Sequence, residues 1–228
     1  NGTGQPELLF PYEGPIFPSS ISEEGELVFS MGTPLKLYRT SLNAEANPER
    51  EATELSIAPD LVFWHGSTLS ADGEWLAYAS QETGSNHVYV RPFPNVADGK
   101  WQASIAPGFS PLWNPNENEL LYWTQQGRPV QVSVPYQVES SGANAQKSIR
   151  FSRPNELFSQ NGVRSFETIK PWDLSADRQL FYMITRPEDN DIEQRVLDSQ
   201  TMLTVVENWF GELDSLAPPD PNLVNSDL

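Results

Sequence analysis

The sequence predicts an all-β chain, a β-propeller of four-stranded antiparallel blades with about four blades present. Three observations predict it. A turn followed by a short apolar and aromatic run occurs four times, starting at Ser22, Ser70, Asn114 and Ser175, which are 48, 44 and 61 residues apart. A period of roughly 40–50 residues marks a solenoid, an array or a propeller. The runs are apolar on both faces, and blades stacked face against face bury both sides of each central strand. Twenty prolines suit many short strands and loops and are too many for a helical protein. A two-layer sandwich is the structural alternative. There one sheet face would be wet and the runs would alternate more strictly.

The clearest copy is Ser70-Ala71-Asp72-Gly73-Glu74-Trp75-Leu76-Ala77-Tyr78-Ala79-Ser80. Asp72-Gly73 signals a hairpin, because Gly tolerates φ > 0 and Asp bonds its own backbone. Ser70, Asp72 and Gly73, with Ser175 and Asp177 in the last copy, are therefore structural turn residues.

In chain order, residues 1–16 are a Gly-rich start with Pro6-Glu7-Leu8-Leu9-Phe10 as the last strand of a preceding blade. Residues 17–57 form a blade: strands at Phe17–Ile21, Glu26–Met31 and Leu35–Arg39, and a ragged fourth near Thr53–Ile57. Residues 58–106 form the next, with Val62–His65 leading in, then Trp75–Ala79, His87–Pro94 and Gly99–Ile105. Residues 107–158 hold Phe109–Trp113, Leu120–Thr124 and the alternating Val130–Val134. Glu139–Ala145 reads as a Ser/Gly/Asn loop, and the blade closes on Glu156-Leu157-Phe158. Residues 159–216 form the C-terminal blade: Ile169–Leu174, Leu180–Ile184, an acidic insertion at Pro187–Asp198, Leu203–Val206 and a short terminal helical turn at Asn208–Leu213. Residues 217–228, rich in Pro and Asp, read as a disordered tail.

Composition bounds function more by exclusion. Fourteen Lys and Arg against 31 Asp and Glu leave a net charge of −17. That field repels phosphate backbones and anionic membranes, so a nucleic-acid partner is not expected. Solubility is the plain reading of the charge. Without Cys there are no disulfides, thiolate metal sites or Cys nucleophiles. No apolar run approaches the roughly 20 residues of a membrane helix, so this segment inserts in no membrane by that route.

Motifs of catalysis are absent: no Gly-x-Ser-x-Gly elbow, no phosphate-binding Gly-rich loop and no His-Glu-x-x-His. The two histidines, His65 and His87, are 22 residues apart and do not make a metal site by spacing. His87 opens a strand and reads as exposed. Glu188, Asp189, Asp191 and Glu193 lack the Gly-centred order of a calcium loop and read as solvated acid. No cofactor is implied. Four residues remain as candidates for binding. Trp64 and His65 lie in a lead-in strand, and Trp113 and Trp172 sit just before their turns, where inner strands approach the axis. Core packing is the alternative reading for each.

The chain resembles the C-terminal part of the TolB-like six-bladed propellers built from WD40-like Ser-Pro-Asp-Gly repeats. The subset it resembles is fused to bacterial serine/threonine kinases or transcriptional regulators. Ser70–Tyr78, Glu82-Thr83-Gly84, Val88–Pro94, Gly99–Gln102 and the ending Val205–Leu213 carry the likeness. The turn Pro of that family is Ala71, Glu23 and Ala176 here, and the third copy has neither Asp nor Gly. The resemblance implies that about two N-terminal blades are missing and that the blades form an open arc. A closed ring would need Glu7–Phe10 to supply the C-terminal blade's fourth strand. It also implies a non-enzymatic module that binds a protein or peptide, the sensor or interaction part of a larger signalling protein, placed outside the cytoplasm by analogy. The alternatives are the gating propeller of a prolyl-oligopeptidase-like serine peptidase and a stand-alone periplasmic scaffold.

Overall fold

A computed structural model of the chain describes residues 8–33, 35–43, 51–57, 66–114, 118–124, 130–141, 146–159, 172–175, 180–185 and 202–207. Every regular element among them is a strand. The first sheet has strand order β1 (Ile16–Ile21), β2 (Glu26–Met31), β3 (Lys36–Ser41), β4 (Thr53–Glu54). The second is β5 (Thr68–Leu69), β6 (Trp75–Ser80), β7 (His87–Pro92), β8 (Trp101–Gln102). In the third, β9 (Gly108–Asn114), β10 (Glu119–Thr124) and β11 (Val130–Ser141) are joined by β12 (Gln146–Phe151) and β13 (Asn155–Ser159), both paired with β11. The fourth is β14 (Trp172–Leu174), β15 (Leu180–Thr185), β16 (Met202–Glu207). Apart from β13, each sheet is an antiparallel up-and-down meander, which is the form of a propeller blade. The chain divides into two compact units, one carrying β1–β13 and the other β14–β16.

The middle blade explains the central sequence signal. All six residues of β6 are buried. Leu76 and Tyr78 join Val28, Leu37, Leu55 and Ile57 of the first blade in one cluster. Trp75 and Ala77 join Trp113, Leu120, Tyr122, Val132 and Val134 of the third in another. Alternate residues of one strand thus enter two different cores, and a strand buried on both faces reads as a continuous apolar run.

Two expectations differ from the structure. Leu8–Phe10 lie in no strand; Leu8 is 77% exposed, and Phe10 instead packs on Phe29, ring centroids 5.5 Å apart. Phe29 also stacks on its cross-strand partner Tyr38, so aromatic side chains line this face of the first blade. Second, Glu139–Ser141 belong to β11 and not to a loop. The hairpin with β12 continues from Tyr136↔Phe151 to Ser141↔Gln146. Polar residues hold strand geometry there because one face of the hairpin, with Tyr136, Ile149 and Phe151, packs on the core between the second and third blades. Val62–His65, the acidic insertion, Asn208–Leu213 and residues 217–228 lie outside the described residues.

Candidate functional site

Strands β1, β5 and β9 are the first strands of their blades and neighbour one another, and the turns after β1 and β5 lie side by side. Two cross-blade hydrogen bonds hold these strands. The Leu69 N–H donates to Ser20 Oγ at 3.0 Å, and Trp113 Nε1 donates to the Thr68 carbonyl at 3.1 Å. Trp113 is 4% exposed, and Tyr136 stands edge-on to its ring at 5.1 Å. Its geometry is that of a packing residue tying two blades. Trp172 is 3% exposed and stacks on Phe181 at 5.6 Å. Trp64, His65 and Asp177 lie outside the described residues.

The turns are organised by a serine hydroxyl. Ser70 Oγ accepts from the Trp75 N–H at 3.0 Å and donates to Asp72 Oδ1 at 2.5 Å. The same Asp72 oxygen accepts from the Glu74 N–H at 3.1 Å. Gly73 sits at φ 67°, and its N–H donates to the Ser70 carbonyl at 2.9 Å. The left-handed backbone favours glycine, and a Cβ there would stand 3.0 Å from Glu24 Oε2. That short distance also shows that the turns of the first two blades abut. In the first blade, Ser22 Oγ accepts from the Glu26 N–H at 3.2 Å, and Gly25 takes φ 84°. In the last, Ser175 Oγ accepts from the Leu180 N–H at 3.0 Å. A serine takes this role in three of the four copies, and the third has Asn114 there.

The resulting face is acidic, and its turns are tied by their own hydrogen bonds. Glu23, Glu24 and Asp72 are exposed on it. Arg39 pairs with Glu26 at 3.0 Å, and Lys147 of β12 pairs with Glu74. Burial pushes the Tyr136 hydroxyl up, and the Asp72 carboxylate adds to the effect. Sequence reasoning missed Tyr136, Lys147 and Ser20. The alternation through Val130, Val132, Val134, Tyr136 and Val138 was the signal for the first; nothing local marks the other two.

One contact has the residue types of a nucleophilic pair. Ser85 Oγ lies 3.3 Å from His87 Nε2. Gln102 Nε2 donates to the Ser104 carbonyl at 2.7 Å and also faces His87 Nδ1 at 3.1 Å. Ser104 Oγ also lies 3.2 Å from His87 Nδ1 and accepts from the Val88 N–H at 2.9 Å. Among the described residues, no group of three or more His, Cys, Asp or Glu could hold a metal ion, and no helix is long and apolar enough to cross a membrane.

Inner strands bonded across blades, two-faced cores and aligned turns define this chain as a β-propeller. Among solved structures it is similar to TolB from Acinetobacter baumannii, at 12% identity and TM-score 0.59, over 90% of this chain and 44% of that one. A putative TolB from Agrobacterium tumefaciens matches at 12% identity and TM-score 0.46, over 68% of this chain and 54% of that one. A nidogen/laminin complex matches at 10% identity and TM-score 0.48, over 74% and 56%. The chain spans about half the length of these structures. At such identities the likeness is one of fold. No protein-family model matches the sequence, and no curated protein matches it.

Proposed function

We propose that the chain is a non-catalytic propeller module that binds a protein or peptide on the face formed by its turns and inner strands, as the interaction part of a larger signalling protein. The observation that carries this reading is the braced turn face. Ser22 and Ser70 hold adjacent turns in place, and the exposed side chains on them, Glu23, Glu24 and Asp72, are acidic. Loops carried on a scaffold of packed strands suit recognition. The test is selection of peptides from a displayed random library on the intact chain. The expected result is a set of binders whose affinity falls in Glu24→Lys. Binders indifferent to Glu24→Lys, or turnover of fluorogenic peptides by the purified chain, would sink the proposal. The signalling role is read separately, from whether the same open reading frame encodes a kinase or DNA-binding domain.

A further inference from the structure

The outer strands of the first two blades, β4 and β8, are two residues long. Short outer strands leave little edge for another chain to pair with. The third blade departs from this pattern, because its outer edge runs through six residues of β12 and five of β13. The β12 edge is also held in place. Ile149 is buried, and Phe151 lies edge-on to Tyr136 at 6.3 Å.

The phase of the ladder follows from one bond: the Ser152 N–H donates to the Pro135 carbonyl at 2.8 Å. Bonded residues alternate along an antiparallel strand. Ser148 and Arg150 therefore face β11, and the backbone groups of Lys147, Ile149 and Phe151 point away from it. Among the described strands, β12 pairs with β11 alone. Its charge is also unlike the rest of the molecule. Residues 146–153 carry Lys147, Arg150 and Arg153 and no acid, in a chain of net charge −17. The existing partners, Glu74 for Lys147 and Glu139 for Arg150, are exposed pairs that exchange at little cost. Like charges across a strand pair repel, so a second copy of β12 is a poor neighbour and an acidic strand a good one.

We propose that the outer edge of the third blade takes up an extended acidic peptide segment as an added strand beside β12. Main-chain bonds at Lys147, Ile149 and Phe151 supply the affinity, and Arg150 and Arg153 select acidic side chains. This surface does not depend on a partner at the turn face, so either proposal can fail alone.

The test is a fluorescence anisotropy titration of the full chain with a labelled alternating Glu–Val peptide, read beside amide hydrogen exchange. Binding should be saturable, with new protection at the Lys147, Ile149 and Phe151 amides. Lys147→Pro removes an outward N–H without touching a bond to β11, and Arg150→Glu reverses the charge; each should weaken binding about tenfold. Absence of saturable binding, equal affinity for a Lys–Val peptide, or affinity unchanged in the variants would overturn the proposal. Should Lys147→Pro fail to fold, Arg150→Glu on its exposed side chain still decides.

Discussion

Replacing Ser70 with Ala tests whether the turn hydroxyl holds the central hairpin. Ser70 is 4% exposed, and its Oγ makes two bonds, accepting from the buried Trp75 N–H at 3.0 Å and donating to Asp72 at 2.5 Å. Removing the hydroxyl leaves the Trp75 N–H without its side-chain acceptor in a place water does not reach, which costs about 1–3 kcal/mol. The bond to the Asp72 carboxylate adds about 1 kcal/mol, at the low end for charged partners because Asp72 is exposed. The sum is about 3 kcal/mol, and for a chain of this size about 6–12 °C in Tm. Ser22→Ala should cost about half as much, since its bond to Glu26 is longer, at 3.2 Å, and no second bond from its hydroxyl joins an acid in the turn. Urea unfolding followed by Trp fluorescence gives both numbers, and exchange of the Trp75 amide reads the same bond locally. A Ser70→Ala change within about 0.5 kcal/mol of the parent, or a Ser22→Ala change equal to or larger than it, would refute the reasoning.

Three other outcomes are expected. Trp113→Phe keeps an aromatic ring but leaves the Thr68 carbonyl without its cross-blade donor, and should lower stability by about 1–2 kcal/mol in the same urea assay. Burial pushes the Tyr122 hydroxyl up to about 12 from an ordinary 10.0, against a lowering hydrogen bond with the Ile105 backbone. A folded-state value raised in this way gives stability that is full below pH 10 and lost as pH rises toward 12. The parent should therefore lose about 3 kcal/mol over that window from this group, and Tyr122→Phe should flatten the alkaline limb of a stability–pH curve. Gln131 is 0% exposed, and neither polar end of its side chain has a hydrogen-bond partner among the described residues. Gln131→Met should therefore raise stability by about 1 kcal/mol, and a fall in Tm by calorimetry would show that the amide is satisfied in solution.

Most strands were legible because their signals are local. The runs Glu26–Met31, Trp75–Ala79 and Leu180–Ile184 all became strands, each framed by turn residues with their own conformational preferences. The third blade was less legible. Glu139, Ser140 and Ser141 have poor strand propensity, and they are held extended by pairing in a hairpin whose own Tyr136 and Ile149 pack on the core between the second and third blades. At the N-terminus, Leu9 and Phe10 carry the composition of a strand, but no partner strand pairs with them, and the Phe10 ring is placed by Phe29.

The candidate site shows the same division. Sequence marked Ser70, Asp72 and Gly73 as a turn, and their hydrogen bonds run within five residues, where local chemistry suffices. It offered Trp113 as a ligand-stacking candidate, and only packing shows where its indole N–H goes, to a carbonyl 45 residues away in sequence. By itself, then, the sequence determined the class of fold, the blade period and the turn chemistry, because periodicity and turn preferences are written over a few neighbouring residues. Which turns abut, which tryptophans bridge blades and which outer strand is long enough to accept another chain were decided by tertiary structure. Those properties belong to pairs of residues far apart in sequence, and no single segment encodes their distance.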